Sequence, residues 1–348
     1  MSTATASGRL SDTAPLRRPT AVRLAWLIAG VLLLAALFVA SLAFGARDVS
    51  ITEIFAALRG DTSGIGEAAV ILRIPRTVLA MLIGAALALS GAAMQAITRN
   101  PLADPGILGV SAGAALAVVI GIAFFGLVSP YATIGVATLG AAAASAFVYA
   151  VGSLGRGGAT PLKLALAGAA SSAAFMSLVS AILLPRVDIL TSFRFWQIGG
   201  VGGADWERIA VVAPFLGLGA LICIASARGM NSLALGDDMA AGLGVRVART
   251  RLFAAVGAVI LAGAATAIAG PIGFVGLVVP HICRLLIGTD HRWLLPFSAI
   301  VGAGLLTAAD ILGRVVTRPE EIEVGIVTAF IGAPVFIWIV RRQKVREL

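Results

Sequence analysis

Charge is scarce in this sequence. Only 12 % of its 348 residues are Asp, Glu, Lys or Arg, about half the share of a soluble domain. Apolar residues reach 59 % and the mean hydropathy is +1.01. A soluble fold has too little interior to hide that much apolar surface. The composition therefore excludes a soluble enzyme and a disordered or fibrous chain. Cysteine occurs twice, at Cys223 and Cys283, both within apolar stretches. That suits small buried hydrophobes and excludes a disulfide framework. Lysine also occurs twice, at Lys163 and Lys344, and neither completes the GxxxxGK[ST] loop that cradles phosphates. Histidine is limited to His281 and His291. HExxH and Gly-x-Ser-x-Gly are both missing, and His281-Ile282-Cys283 offers too few ligands for zinc. The sequence thus names no catalytic residue, no metal ligand and no cofactor of its own.

What is abundant is long uncharged runs. They cover residues 24–46, 77–98, 105–155, 164–185, 209–227, 252–283, 293–309 and 324–340. A spanning helix needs about 20 apolar residues. The run 105–155 is long enough for two helices, with Ser129-Pro130-Tyr131 as the turn. The run 252–283 is interrupted by Gly270-Pro271, where a proline ends the hydrogen-bond ladder. We therefore expect ten spanning helices, the eighth from about 272 to 288 with Arg284 near the interface. The first run is too long for the apolar core of a signal peptide. Residues 1–21, rich in Ser, Thr, Ala, Pro and Arg, are expected to form a disordered tail. Residues 22–342 form the helical domain, and 343–348 a short C-terminus.

Ten spans place both termini on one side. With the termini inside, the inner segments hold 17 of the 26 basic residues and 6 of the 17 acids. The inner net charge is +11 and the outer −2, as the positive-inside rule requires. Topology accounts for the whole formal charge of +9, so no nucleic acid partner is implied. Both termini are expected to be cytoplasmic.

Glycine is plentiful, at 41 residues. Small residues let membrane helices approach closely, and Gly84, Ala88 and Gly91 form one such stripe, Gly263, Ala267 and Gly270 another. Deep charges are nearly absent, apart from Asp310 and Arg314 four residues apart on one helix face. Such a pair serves equally as a structural ion pair or a functional one. No Asp/Glu/His relay of a proton-driven pump appears. The broken helix at Gly270-Pro271 leaves a stand-alone secondary transporter as an alternative. The longest inner loop, 228–251, contains LALGDDMAAGLGV over residues 233–245. Leu233, Ala234, Ala240 and Leu243 give it a short apolar face. Asp237 and Asp238 sit where a helix start favours carboxylates, and Gly242 and Gly244 can stop the helix. An apolar helix on a soluble loop needs a partner to cover it, or lies on the membrane surface.

At this point the sequence resembles a known family. RIPRTVLAMLIGAALALSGAAMQ (73–95), RNPLADPGILGVSAGAA (99–115), GPIGFVGLVVPHICRLLIGTDHR (270–292) and EEIEVGIVTAFIGAPVFIW (320–338) are similar to blocks of FecCD-type permeases. These are the membrane subunits of binding-protein-dependent ABC importers for iron–siderophore complexes, vitamin B12 and haem. The 233–245 loop is a fifth, shorter block, and the likeness runs over about 22–342. It implies an all-α integral membrane fold of ten helices, of the type II importer kind, in the bacterial inner membrane. It implies a dimer with itself or with a paralogous permease, two ATPase subunits carrying ATP and Mg, and a periplasmic or lipoprotein substrate-binding protein. The transported substrate would be an iron chelate, and the surrounding medium membrane lipid. Leu235, Gly236, Asp237, Asp238, Ala240, Leu243 and Gly244 match the ATPase-coupling loop. Arg73, Arg76 and Arg314 match arginines that pair with glutamates of the binding protein. The fifth span corresponds to a helix lining the path. Asn100, Pro101, Gly270, Pro271, Pro280, His281, Arg284 and Asp310 belong to the motif framework. One departure stands out: EIEVG replaces the family's ELPVG, so Glu323 joins Glu320 and Glu321 in an acidic cluster. That cluster reads either as a solvated loop or as a rim adapted to one binding protein.

Overall fold

The computed structural model describes residues 18–61, 63–127, 129–155 and 160–343. Most of the expected N-terminal tail and nearly all of the C-terminus lie outside them. The described residues hold fourteen α-helices and no strand: α1 (Thr20–Ala43), α2 (Ile51–Leu58), α3 (Ile65–Thr98), α4 (Val110–Phe125), α5 (Pro130–Ser153), α6 (Pro161–Leu183), α7 (Val187–Ile198), α8 (Trp206–Ala225), α9 (Ala227–Leu233), α10 (Asp237–Gly242), α11 (Val247–Ala269), α12 (Val275–Ile287), α13 (His291–Val316) and α14 (Val324–Gln343). Seven are long and apolar enough to cross a membrane, namely α1, α3, α5, α6, α8, α11 and α13. α4, α12 and α14 are shorter apolar helices.

Both expected breaks occur. Pro130 opens α5, and α11 ends before Gly270. The stop at Gly270 has a steric cause. Its φ of +70° is open to glycine, and a Cβ there would lie 2.1 Å from the Trp196 carbonyl oxygen. Phe274, also at positive φ, precedes α12. The Gly199-Gly200 link braces this break. Gly200 N–H donates to the Ala269 carbonyl at 2.8 Å, and Gly325 N–H donates to that of Gly199 at 3.0 Å.

α3 departs from expectation. Its 34 residues begin at Ile65, not at 77, giving a rod of about 51 Å against a hydrocarbon core of about 30 Å. Glu67, Arg73 and Arg76 mark where the apolar stretch stops, but the helix continues through Pro75. Thr20 and Ala21 likewise belong to α1 rather than to the tail. The short helices α2, α7 and α9 fall almost wholly outside the long uncharged runs, which gave no sign of them. α2 has its own reason to form, a capping box in which Ser50 and Glu53 satisfy each other's backbone N–H groups.

α3 is the centre of the bundle, packed against α13, α11 and α12. The contact is backbone to backbone at two points. A Cβ on Gly84 would stand 2.2 Å from the Gly302 carbonyl oxygen, and one on Gly91 would stand 1.8 Å from that of Gly276. Only glycine permits such approach, and close approach is what holds helices together in lipid. α1 lies outside this centre, with only Ser41 and Leu42 fully buried.

Candidate functional site

The helices bring the motif residues to the two ends of the bundle. At one end α3 stops at Arg99, in the left-handed region at φ 51°. The chain turns back at once: the Asn100 side-chain oxygen accepts from Leu102 N–H at 2.9 Å, and Asp104 caps Gly106 N–H at 2.8 Å. Pro101 sits in this turn. Beside it α9 and α10 form a knob. Gly236, at φ +102°, separates them, and Gly244, at φ +81°, releases the chain into α11. Asp237 and Asp238 occupy the first turn of α10. Asp237 accepts from Arg251 at 2.9 Å and lies 3.5 Å from Arg99.

The apolar face of this loop differs from expectation. Leu233 and Ala240 are wholly buried and anchor the knob. Leu235, Met239 and Leu243 are 55, 62 and 65 % exposed, and Ala234 is exposed beside them. The inward and outward sets divide because α9 and α10 are two helices joined at Gly236, not one. Met239 was missed, hidden between two charged or small neighbours in sequence.

Behind the knob Asn231 holds the start of α13. Its side-chain nitrogen donates to Asp290 at 2.7 Å, while its oxygen accepts from His291 N–H at 2.8 Å. Burial pushes the Asp290 carboxyl up, but the bonds from Asn231 and Arg292 outweigh it and hold the group below its usual range. Arg284 projects from α12 and donates to the Gln95 side-chain oxygen. Pro280 is buried within α12, and His281 is half-buried, its Nδ1 without a partner. Among the described residues no group of three His, Cys, Asp or Glu could hold a metal.

At the opposite end Asp310 is shared by two arginines. Arg314 approaches it at 2.9 Å, and Arg76 donates to it through Nε at 3.0 Å and NH2 at 2.8 Å. Arg76 also meets Glu321 at 2.6 Å. Arg314 is 1 % exposed and donates to the Ser41 and Phe44 carbonyls and to Ser41 Oγ. Arg73 is 8 % exposed and donates to the carbonyls of Leu42, Ala43 and Arg47. Arg73 and Arg314 tie the end of α1 to α3 and α13, and only Arg76 leads to the rim. The sequence offered the Asp310–Arg314 pair as a structural reading, but not the backbone carbonyls of the α1 end that hold Arg73 and Arg314.

Glu323 is not a solvated loop residue. It is half-buried against Gly200, where a Cβ would meet its Oε2 at 1.8 Å. Burial raises its carboxyl pKa, with Arg76 opposing.

A close-packed bundle of apolar helices, with polar networks confined to its two ends, defines a multi-pass membrane protein. The particular membership follows from comparison: the chain belongs to the FecCD transport family, whose model matches residues 33–342. It is 45 % identical to the ferric enterobactin transport system permease protein of Escherichia coli (strain K12), over 93 % of this chain and 97 % of that one. It is 41 % identical to the hemin transport system permease protein of Yersinia pestis, over 78 % of this chain and 83 % of the relative. Among solved structures, an inward-facing conformation of a metal-chelate type ABC transporter superposes with a TM-score of 0.80 at 32 % identity, covering 92 % of this chain and 99 % of that one.

Proposed function

We propose that the chain is the membrane permease subunit of an ABC importer that moves a ferric siderophore or related iron chelate into the cytoplasm. ATP hydrolysis occurs on two separate subunits, and a binding protein delivers the substrate. The observation that carries this reading is the α9–α10 knob. It presents Leu235, Met239 and Leu243 beyond the end of the bundle, while buried Leu233 and Ala240 fix it to α9 and α11. An exposed apolar cluster on a short rigid helix is what a cleft on another protein covers.

In this reading the knob end is cytoplasmic, as are both termini, and the seven long and three shorter apolar helices make ten spans. α14 offers a shallow apolar groove at Ile326, Ala329, Phe330 and Ala333, beside Ile198. This groove and α6 suit the dimer axis and the path. At the far end Arg76 and Glu321 supply a charged rim for the binding protein, with Arg73 and Arg314 supporting it from beneath. The hemin relative supports haem as a second substrate, and cobalamin is a third of the same class.

Reconstitution with the ATPase subunits and the binding protein in proteoliposomes tests the proposal. Uptake of a radiolabelled ferric siderophore should require both partners and ATP. Uptake by the chain alone, driven by a proton or sodium gradient, would establish a secondary transporter instead.

A further inference from the structure

The knob end also contains a cavity of about 1130 Å³, bordered on one side by Ala234 and Leu235 of the knob. Its walls carry Arg18, Arg23, Arg99, Arg284 and Arg292, against a single carboxylate, Asp290. Asp290 is already engaged: it accepts from Asn231 and Arg292, and Arg23 reaches it only at 3.7 Å. Among the described residues, no carboxylate lies within ion-pair distance of Arg284. Its NH2 donates to Gln95 Oε1, and the Gln95 amide is fixed by donation to the Gly276 and Leu277 carbonyls at 3.3 and 3.2 Å. Arg23 has its Nε buried without any acceptor. The cavity thus concentrates cationic donors: Arg99 is paired with Asp237 and Arg23 stacks over Trp293, while Arg284 is held only by a neutral amide.

The surroundings say which kind of anion. Arg18, Thr20 and Arg23 sit at the very start of α1, and α1 is the helix least covered by the rest of the chain. Its next residues outward include Leu24 and Ile28, 51 and 52 % exposed. On α12, Ile282 and Leu285 flank Arg284 and are 37 and 58 % exposed. Arg18 donates to the Leu285 carbonyl at 3.5 Å, so the two helices are neighbours at this level. The cavity therefore lies where an apolar helix surface ends and a cationic one begins, the depth of a phospholipid headgroup. A basic pocket between membrane helices at that depth suits an acidic headgroup. A soluble phosphate has no use for the apolar flanks.

We propose that this cavity binds the phosphodiester headgroup of an anionic phospholipid, with Arg284 and Arg23 as its principal donors and the acyl chains lying along α1 and α12. The site requires only that the chain crosses a membrane, so it stands or falls separately from the transported substrate.

Native mass spectrometry of the full chain in mild detergent tests it, using phosphatidylglycerol and phosphatidylcholine of identical acyl chains. Phosphatidylglycerol should be retained in preference. Arg23→Gln and Arg284→Gln should each weaken its retention by about fivefold, Arg284→Lys should restore most of the loss, and Arg59→Gln at the far end should change nothing. A thermal melt in phosphatidylcholine alone identifies any variant that misfolds, and the remaining variant then decides. Equal retention of the two lipids, or retention indifferent to both glutamine variants, overturns the proposal. Displacement of the lipid by millimolar inorganic phosphate would assign the site to a soluble anion, and displacement by the ATPase subunits would assign it to a protein carboxylate. Either result overturns the lipid.

Discussion

Arg99 and Asp237 meet at 3.5 Å, joining the C-cap of the central helix to the first turn of α10. Arg251, at the start of α11, holds the same carboxylate. The two ion pairs tie α10 to the ends of α3 and α11. Exposed ion pairs are individually weak, so the buried Leu233 and Ala240 supply most of the rigidity.

The knob divides into buried Leu233 and Ala240 and exposed Leu235, Met239 and Leu243. Leu243→Glu should leave the bundle intact, since Leu243 is 65 % exposed, and should abolish co-purification with the ATPase. Leu233→Glu places a charge in a fully buried site and should prevent folding. Detergent-stable yield and ATPase pull-down, measured on both, distinguish the two roles. A Leu243→Glu chain that retains its ATPase and its transport would remove the coupling assignment.

Helix contact at Gly84 is limited by backbone. Gly84→Leu should lower stability by about 1–3 kcal/mol or more, the usual cost of overpacking, because the opposing atom is a carbonyl oxygen 2.2 Å from the new Cβ. Gly217→Leu, with open space around it, should melt within a degree or two of the parent. Thermal unfolding followed by size-exclusion chromatography gives both values.

Arg314→Leu should be among the most damaging changes at the far end. It empties a buried site and strips Asp310 of one partner, a loss of about 3–5 kcal/mol for a broken buried pair. Arg76→Glu should instead slow association with the binding protein, and the parent rate should fall as salt rises, since rim charges act mainly on encounter. Stopped-flow association across a salt series separates these outcomes. Unchanged kinetics in Arg76→Glu would leave Arg76 a purely structural residue.

Glu323 gives a pH signature. Its raised pKa means that the folded chain holds that proton more tightly than the unfolded one. Its contribution to stability therefore declines as pH rises from below the ordinary glutamate range through the folded value. Glu323→Gln should melt no lower than the parent at neutral pH and should flatten the dependence of melting temperature on pH in the acid range. A lower melting temperature in the variant would show that the carboxylate itself is bonded.

Sidedness can be read by labelling. Exposed positions near the two ends of the bundle serve as labelling sites. Glu320→Cys should react with an impermeant maleimide in whole cells, and Ala241→Cys only after permeabilisation. The native Cys223 and Cys283 are buried and should stay silent. The reverse pattern would invert the charge-based orientation.

Composition and spacing by themselves determined the membrane class, the position of most helices and both interruptions in the long apolar runs. These follow from local causes: charge cannot sit in hydrocarbon, and proline and left-handed glycine end a helix wherever they occur. The knob was legible in the same way, from two acids at a helix start and glycines at its end. The tertiary structure alone decided which charged groups are buried and what holds them. Arg73, Arg76 and Arg314 look alike in sequence, yet the carbonyls that capture Arg73 and Arg314 come from the end of α1, which carries no side-chain signal. The length of α3 was hidden for a related reason: charged residues mark the edge of the membrane, whereas the helix obeys only its own hydrogen bonds. The arginine cavity is assembled from α1, α3, α12 and the start of α13, and no single segment reveals an excess of charge that exists only when all four converge.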